Sequence, residues 1–182
     1  QMRVGTEKSA AAARAGYRTS IFLVLSVGIV LRVALACVNS DANDNHVKII
    51  TIIADQNRIP PDEEFWEAFQ PKLYHITAAL VWKMLPSDSP ALRTRLAQLL
   101  SCAAGVFTLL FAVRFVSPKS EVSHKVRFLT IAFIALNPDL IGINGQATND
   151  SFIILFGTTT LYYGYRFFAN PAALAFGLMT LS

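Results

Sequence analysis

The 182-residue chain is poor in cysteine. It has two, Cys37 and Cys102, both inside apolar runs, and nothing around them argues for a disulfide or a metal site. The redox compartment is left open. The chain also lacks basic residues clustered with aromatics on a polar face, so its net charge of +4 does not indicate nucleic acid. No internal repeat or low-complexity tract occurs, the alanines at 10–13 being too few to count. A cleavable signal is not expected either. The basic stretch 2–20 precedes an apolar run, but Ala36-Cys37-Val38 is a poor cleavage site and Arg32 sits within the run. The run therefore reads as a retained helix.

What the chain has in excess is apolar residues. They make up 53% of it, with a mean hydropathy of +0.44, above the ~45–50% usual for soluble domains. They are packed into blocks separated by short polar stretches, the pattern of a polytopic membrane protein. Gln1 stands ahead of Met2, and the last residue, Ser182, ends an apolar run at 172–181. This reads as the N-terminal piece of a longer protein.

The first block, 21–38, is long enough to cross a bilayer, which takes roughly 17–25 residues. Arg3, Lys8, Arg14 and Arg18 precede it, opposed only by Glu7, which places the N-terminus in the cytoplasm. Residues 39–72 then face outward and carry seven of the twelve acidic residues. Within them His46, Ile49, Ile50 and Ile53 recur at helical spacing. This predicts a short amphipathic helix along a membrane surface, ended by Ile59-Pro60-Pro61. The block 73–85 has 13 residues, and ~10–14 suits a juxtamembrane helix better than a span. Further spans are expected at about 95–115, 128–143 and 151–168, with 172–182 beginning another. Arg114, Lys119, Lys125, Arg127 and Arg166 then face the cytoplasm, while 39–94 and 144–150 share the outer side. The expected fold class is an all-α membrane protein, a polytopic helical bundle whose large outer loop carries juxtamembrane helices.

Four places could carry chemistry. In Asp41-Ala42-Asn43-Asp44-Asn45-His46, carboxylates and an imidazole directly follow a membrane helix. They suit a helix cap, and equally a general base at the membrane surface. In Phe65-Trp66-Glu67 through Gln70-Pro71-Lys72-Leu73-Tyr74-His75, aromatics suit an interfacial belt, while Lys72 and His75 could form an anion site. Thr148, Asn149 and Asp150 fit a helix cap after the break at Asn137-Pro138-Asp139. Arg32 is a charge within a span. That is costly enough for a paired or functional role to be the default, snorkelling to the interface being the bland alternative.

These features occur in a particular order: Leu31-Arg32 near the end of the first helix, an Asp-rich start to the outer loop, Gln70-Pro71-Lys72-Leu73-Tyr74-His75, and Asn149-Asp150 at the start of a later span. Together, over about 31–168, they resemble the GT-C superfamily of glycosyltransferases. The nearest type is that of the protein O-mannosyltransferases and aminoarabinose transferases. The family's Asp-Glu pair appears here as Asp44-Asn45, and its Pro-Pro as Pro71-Lys72. The resemblance implies a polyprenyl-phosphate sugar donor, outer-side chemistry, and an acceptor that could be protein, lipid or glycan. It implies Asp44, then Asp41, as the catalytic base, and Asp150 as the second-loop acid. Lys72 and Arg32 would face the donor phosphate, with His46, Glu67, Tyr74 and His75 lining the substrate site. No metal ligand set is read from the chain; a divalent cation is the one candidate cofactor. The membrane would be a bacterial inner or cell membrane. The rival reading is a transporter whose polar pathway is lined by Arg32, Asp139 and Asp150; a third is a membrane scaffold without enzyme activity. A transporter would concentrate polar residues within its helices, whereas here they gather between them.

Overall fold

The computed structural model describes residues 2–39, 45–85, 89–116 and 122–169. Asp41, Asp44 and the expected span at 172–182 lie outside them. Among the described residues the regular structure is entirely helical. In chain order it comprises α1 (Met2–Val38), α2 (His46–Gln56), a single 3₁₀ turn (Trp66–Phe69), α3 (Leu73–Met84), α4 (Pro90–Phe115), α5 (His124–Leu136), α6 (Pro138–Asn144) and α7 (Asp150–Ala169).

Local sequence explains most of the boundaries. Ser89 starts α4 by accepting a hydrogen bond from the Leu92 amide at 3.4 Å, with Pro90 in the first turn, where its missing N–H costs nothing. Ser123 does the same for α5 through Val126, and Asn137 for α6 through Leu140. Asn57 closes α2 in the left-handed conformation, φ 52°, which asparagine tolerates.

Two helical segments are long and apolar enough to cross a membrane: residues 15–38 of α1 and the whole of α4. The expected span at 128–143 falls on two helices, α5 and α6, that meet at 45°. Pro138 is the reason, because it has no N–H to donate to the Ile134 carbonyl and biases Asn137 to extended backbone. Taken together the bent pair passes as a third candidate span. The expected span at 151–168 forms as α7, 20 residues long, yet α7 is not among the helices apolar enough to qualify. Thr158, Thr159, Thr160, Tyr162, Tyr163 and Arg166 account for its lower hydropathy. The 12-residue α3 is not a candidate span.

α1 packs along α4 and α5, α4 along α7, and α2 on α3. Gly28 permits the tight α1–α5 approach: a Cβ there would lie 2.6 Å from the Ala135 carbonyl oxygen. The amphipathic face of α2 does not rest on a lipid surface. Ile50 is fully buried in a cluster with Tyr74, Ala78, Ala79 and Trp82 of α3, Ala97 of α4, and Ala147. A buried isoleucine of this kind contributes about 1.5–3 kcal/mol, so α2 is fastened to the helices.

The contacts sort residues to two ends of the bundle. At one, Asn39 bonds to Gly145, and Ser101 to Thr148. At the other, the rings of Tyr17 and His124 lie 4.7 Å apart and those of Phe115 and Tyr165 5.4 Å. α2, the start of α3, the α6–α7 turn and the end of α1 share the first end.

Candidate functional site

The first end gathers most of the described residues singled out from sequence. Its scaffold begins where α1 stops. Arg95 donates to the carbonyls of Ala36 and, at 2.5 Å, Asn39; Gln98 donates to the Asn39 carbonyl at 3.1 Å. These two α4 side chains cap the end of α1. Sequence reasoning missed them, because Arg95 reads as a flanking charge and Gln98 as a neutral residue within a span.

On this scaffold α2 and α3 bring His46 and His75 together. His46 Nδ1 and His75 Nε2 are 2.9 Å apart, and both side chains are buried. Glu67, delivered by the 3₁₀ turn, places a carboxylate oxygen 4.0 Å from His46 Nε2 and accepts a hydrogen bond from Gln70. Desolvation pushes the His75 imidazole down from 6.5 to about 3. His46 and the nearby Lys72 ammonium add to the effect; the Pro71 carbonyl opposes it. His75 is thus a neutral hydrogen-bonding group near pH 7 and not the cation of an anion site.

Lys72 lies one turn away. Its ammonium donates to the Gln70 carbonyl at 3.2 Å and sits 3.7 Å from Asp62, whose side chain is 70% exposed. Tyr74 is almost fully buried; its hydroxyl donates to the Ala97 carbonyl at 2.9 Å and accepts from Ser101. Burial raises its pKa, so it stays a neutral phenol. Asp150 is exposed at the first turn of α7, its amide bonded to Thr148 Oγ1. Asn149 behaves differently. Its backbone carbonyl starts α7, accepting from Phe152 and Ile153, but its side-chain amide caps nothing. It is 2% exposed, and among the described residues neither Oδ1 nor Nδ2 has a hydrogen-bond partner.

Arg32 belongs to a separate arrangement. It is 1% exposed and donates to Asn144 Oδ1 at 2.9 Å, to the Ala135 carbonyl at 2.7 Å, and to the carbonyls of Gly28 and Ile134. Asn144 passes the chain on to Ser151 at 3.0 Å. Arg32 therefore neither snorkels nor meets Lys72; its charge is spent on backbone that Pro138 left open. Asp139 and Asp150 are exposed, and Arg32 makes none of its hydrogen bonds to either. Among the described residues no group of three or more His, Cys, Asp or Glu side chains is arranged to hold a metal ion.

A cavity of about 670 Å³ opens beside this end, between the start of α3 and the length of α7. Pro71, Leu73 and Tyr74 form one wall; Asn149, Phe152 and Phe156 are on the other. The residues adjoining Lys72 thus open directly onto an apolar groove. Comparison of the chain with protein-family models, curated proteins and solved structures finds no match.

Proposed function

We propose that the protein is a membrane glycosyltransferase of the GT-C type, moving a sugar from a polyprenyl-phosphate donor to an acceptor on the outer side of the membrane. The observation that carries this reading is a juxtaposition. Lys72, Asp62, the His46–His75–Glu67 cluster and Asn149-Asp150 share one end of the bundle with the capped end of α1. A charged, structured loop over apolar helices suits a substrate that is part lipid and part water-soluble.

In this mechanism Asp44, with Asp41 as the other candidate, takes the proton of the acceptor as it attacks the sugar's anomeric carbon. The bond from that carbon to the phosphate oxygen breaks, and the lipid phosphate leaves with the electron pair. Lys72 offsets the charge it gains. Glu67, His46 and His75 hold α2 to α3 and so fix the loop around the acceptor. Tyr74 contributes its ring, its hydroxyl being committed to Ala97 and Ser101.

The test is turnover of a polyprenyl-phosphate sugar by the full chain and by Asp44→Asn and Asp41→Asn. Loss of about 10²-fold or more in one variant, with folding retained, is the expected result. Parental turnover in both would remove the proposed base, and absence of transfer by the parent would remove the function.

A further inference from the structure

The two ends of the bundle differ in charge. The candidate site holds carboxylates, whereas at the end where Tyr17 meets His124 the charged side chains are Arg18, Arg114, Lys125, Arg127 and Arg166. Among the described residues no carboxylate accompanies them; Asp139, the first after His124, stands beyond the whole length of α5. Arg127 is 4% exposed, so water screens its charge little.

Two hollows open at this end and share Tyr17. One, of about 210 Å³ between α1 and α5, is lined by Tyr17, Ser20, His124, Lys125 and Phe128. The rings of Tyr17 and His124 lie 4.7 Å apart along it. Ser20 gives its hydroxyl hydrogen to the Gly16 carbonyl at 3.0 Å, so the donors offered to an anion are the Lys125 ammonium, the Tyr17 hydroxyl and the His124 ring. The other hollow, of about 330 Å³, is a furrow between α1, α4 and α5. Arg18 borders it and is exposed, while Ile21, Phe22, Leu25, Val113 and Ile131 make the rest apolar. Arg18, Ile21, Phe22 and Leu25 follow one another at three- and four-residue spacing down one face of α1.

From Tyr17 to Leu25 the helix rises about 12 Å. A bilayer's hydrocarbon core is ~30 Å thick, so the furrow stays within one leaflet, too short for a spanning partner helix. A free phosphate would leave the furrow empty, and a zwitterionic lipid would leave the cations unmatched. An anionic headgroup joined to an acyl chain meets both, as in basic pockets between membrane helices generally.

We propose that this end binds an anionic phospholipid of the adjoining leaflet, with its phosphate against Lys125, Tyr17 and Arg18 and one acyl chain in the furrow beside Leu25. The site lies at the opposite end from the proposed sugar chemistry and does not depend on it.

The experiment measures binding of radiolabelled phosphatidylglycerol to the full chain in detergent, with unlabelled phosphatidylglycerol, phosphatidylcholine and glycerophosphate as competitors. Phosphatidylglycerol should compete at least tenfold better than either of the others. Arg18→Gln/Lys125→Gln removes two exposed charges, so the fold should persist, which an unchanged melting temperature in lipid-free detergent checks. Its affinity for phosphatidylglycerol should fall about tenfold or more, to the level of phosphatidylcholine. Equal affinity in parent and double variant, or a parent that holds phosphatidylcholine as tightly, overturns the site. Glycerophosphate competing as well as the lipid overturns the furrow as the seat of a chain. No binding by the parent, as when another segment of the protein fills the furrow, overturns the proposal outright.

Discussion

Arg32 of α1 donates to the carbonyl oxygen of Ala135 at 2.7 Å, across the gap between two helices that the break before Pro138 creates. The Ile134 carbonyl lacks a helical donor because residue 138 is proline, and it too is taken by the guanidinium. A buried charge here completes the backbone accounting of a bent pair of helices.

Arg32→Leu should therefore destabilise the protein before it affects any ligand. Each acceptor left buried and unbonded costs about 1–3 kcal/mol, and several are released at once. Arg32→Lys keeps the charge but cannot fork between Asn144 and the carbonyls, so it should fall between parent and leucine. Thermal unfolding in detergent measures the order. Parental stability for Arg32→Leu would show that the carbonyls find other donors.

Gly28 and Gly157 invite the same substitution with opposite outcomes. Alanine at 28 meets the Ala135 carbonyl at 2.6 Å, which is backbone and cannot swing aside, so α1 and α5 must part. Overpacking of this kind costs about 1–3 kcal/mol. Alanine at 157 meets open space and should stabilise α7 by about 0.5–1 kcal/mol through helix propensity. A melting temperature that falls for Gly28→Ala and holds or rises for Gly157→Ala fits both placements; the same sign in the two variants does not.

How much of this was legible in the sequence follows from the range of each signal. The caps at Ser123 and Asn137 depend on a residue and its near neighbours, yet a reading by apolar runs took 128–143 as one span and passed over both. The short length of the block 73–85 was legible, and α3 has 12 residues. The face of α2 was legible as apolar, but not what it faced, since Ala97 and Ala147 meet it from distant positions. Arg32 was recognisable as a costly charge. Its partners were not, because Asn144 is 112 positions away and bonds it only after Pro138 bends the chain. In the candidate site, Lys72 and His75 stood out by type. The pairing of His75 with His46, the Arg95–Gln98 cap and the unbonded amide of Asn149 are products of packing.

The His46–His75 pair predicts a pH dependence. His75 titrates near 3 when folded and near 6.5 when unfolded, so between these values the unfolded chain binds the extra proton. Its contribution is complete above about pH 6.5 and is lost as pH falls toward 3, at up to about 1.4 kcal/mol per pH unit. Carboxylates also titrate in this window, so the informative quantity is a difference. His75→Gln can still hydrogen-bond to His46 but cannot titrate, and its melting temperature should decline less steeply than the parent's from pH 6.5 to 4.5. Parallel curves would mean that His75 is protonated in the fold as readily as in water.

Lys72 is the residue on which the donor reading can be tested from both directions. Its ammonium is largely screened from solvent, held by the Gln70 carbonyl and lying 3.7 Å from Asp62. A lipid phosphate arriving there must share the ammonium with Asp62 or displace it. Removing the charge in Lys72→Met should cost the charge-assisted contact, about 1.5–3 kcal/mol, and weaken donor binding roughly tenfold to a hundredfold. Lys72→Arg should restore part of this, since it keeps the charge with a different reach. Asp62→Asn acts in the opposite sense. The carboxylate is mostly exposed, so its hold on Lys72 is worth about 0.2–1 kcal/mol at most, and releasing it should tighten binding up to about fivefold. Affinity for a polyprenyl phosphate in nanodiscs reads both effects, with the uncharged polyprenol as control. Opposite shifts for Lys72→Met and Asp62→Asn, both absent with polyprenol, assign the phosphate to Lys72. If Lys72→Met binds phosphate and polyprenol as the parent does, the lysine is an interfacial anchor and the phosphate is held elsewhere.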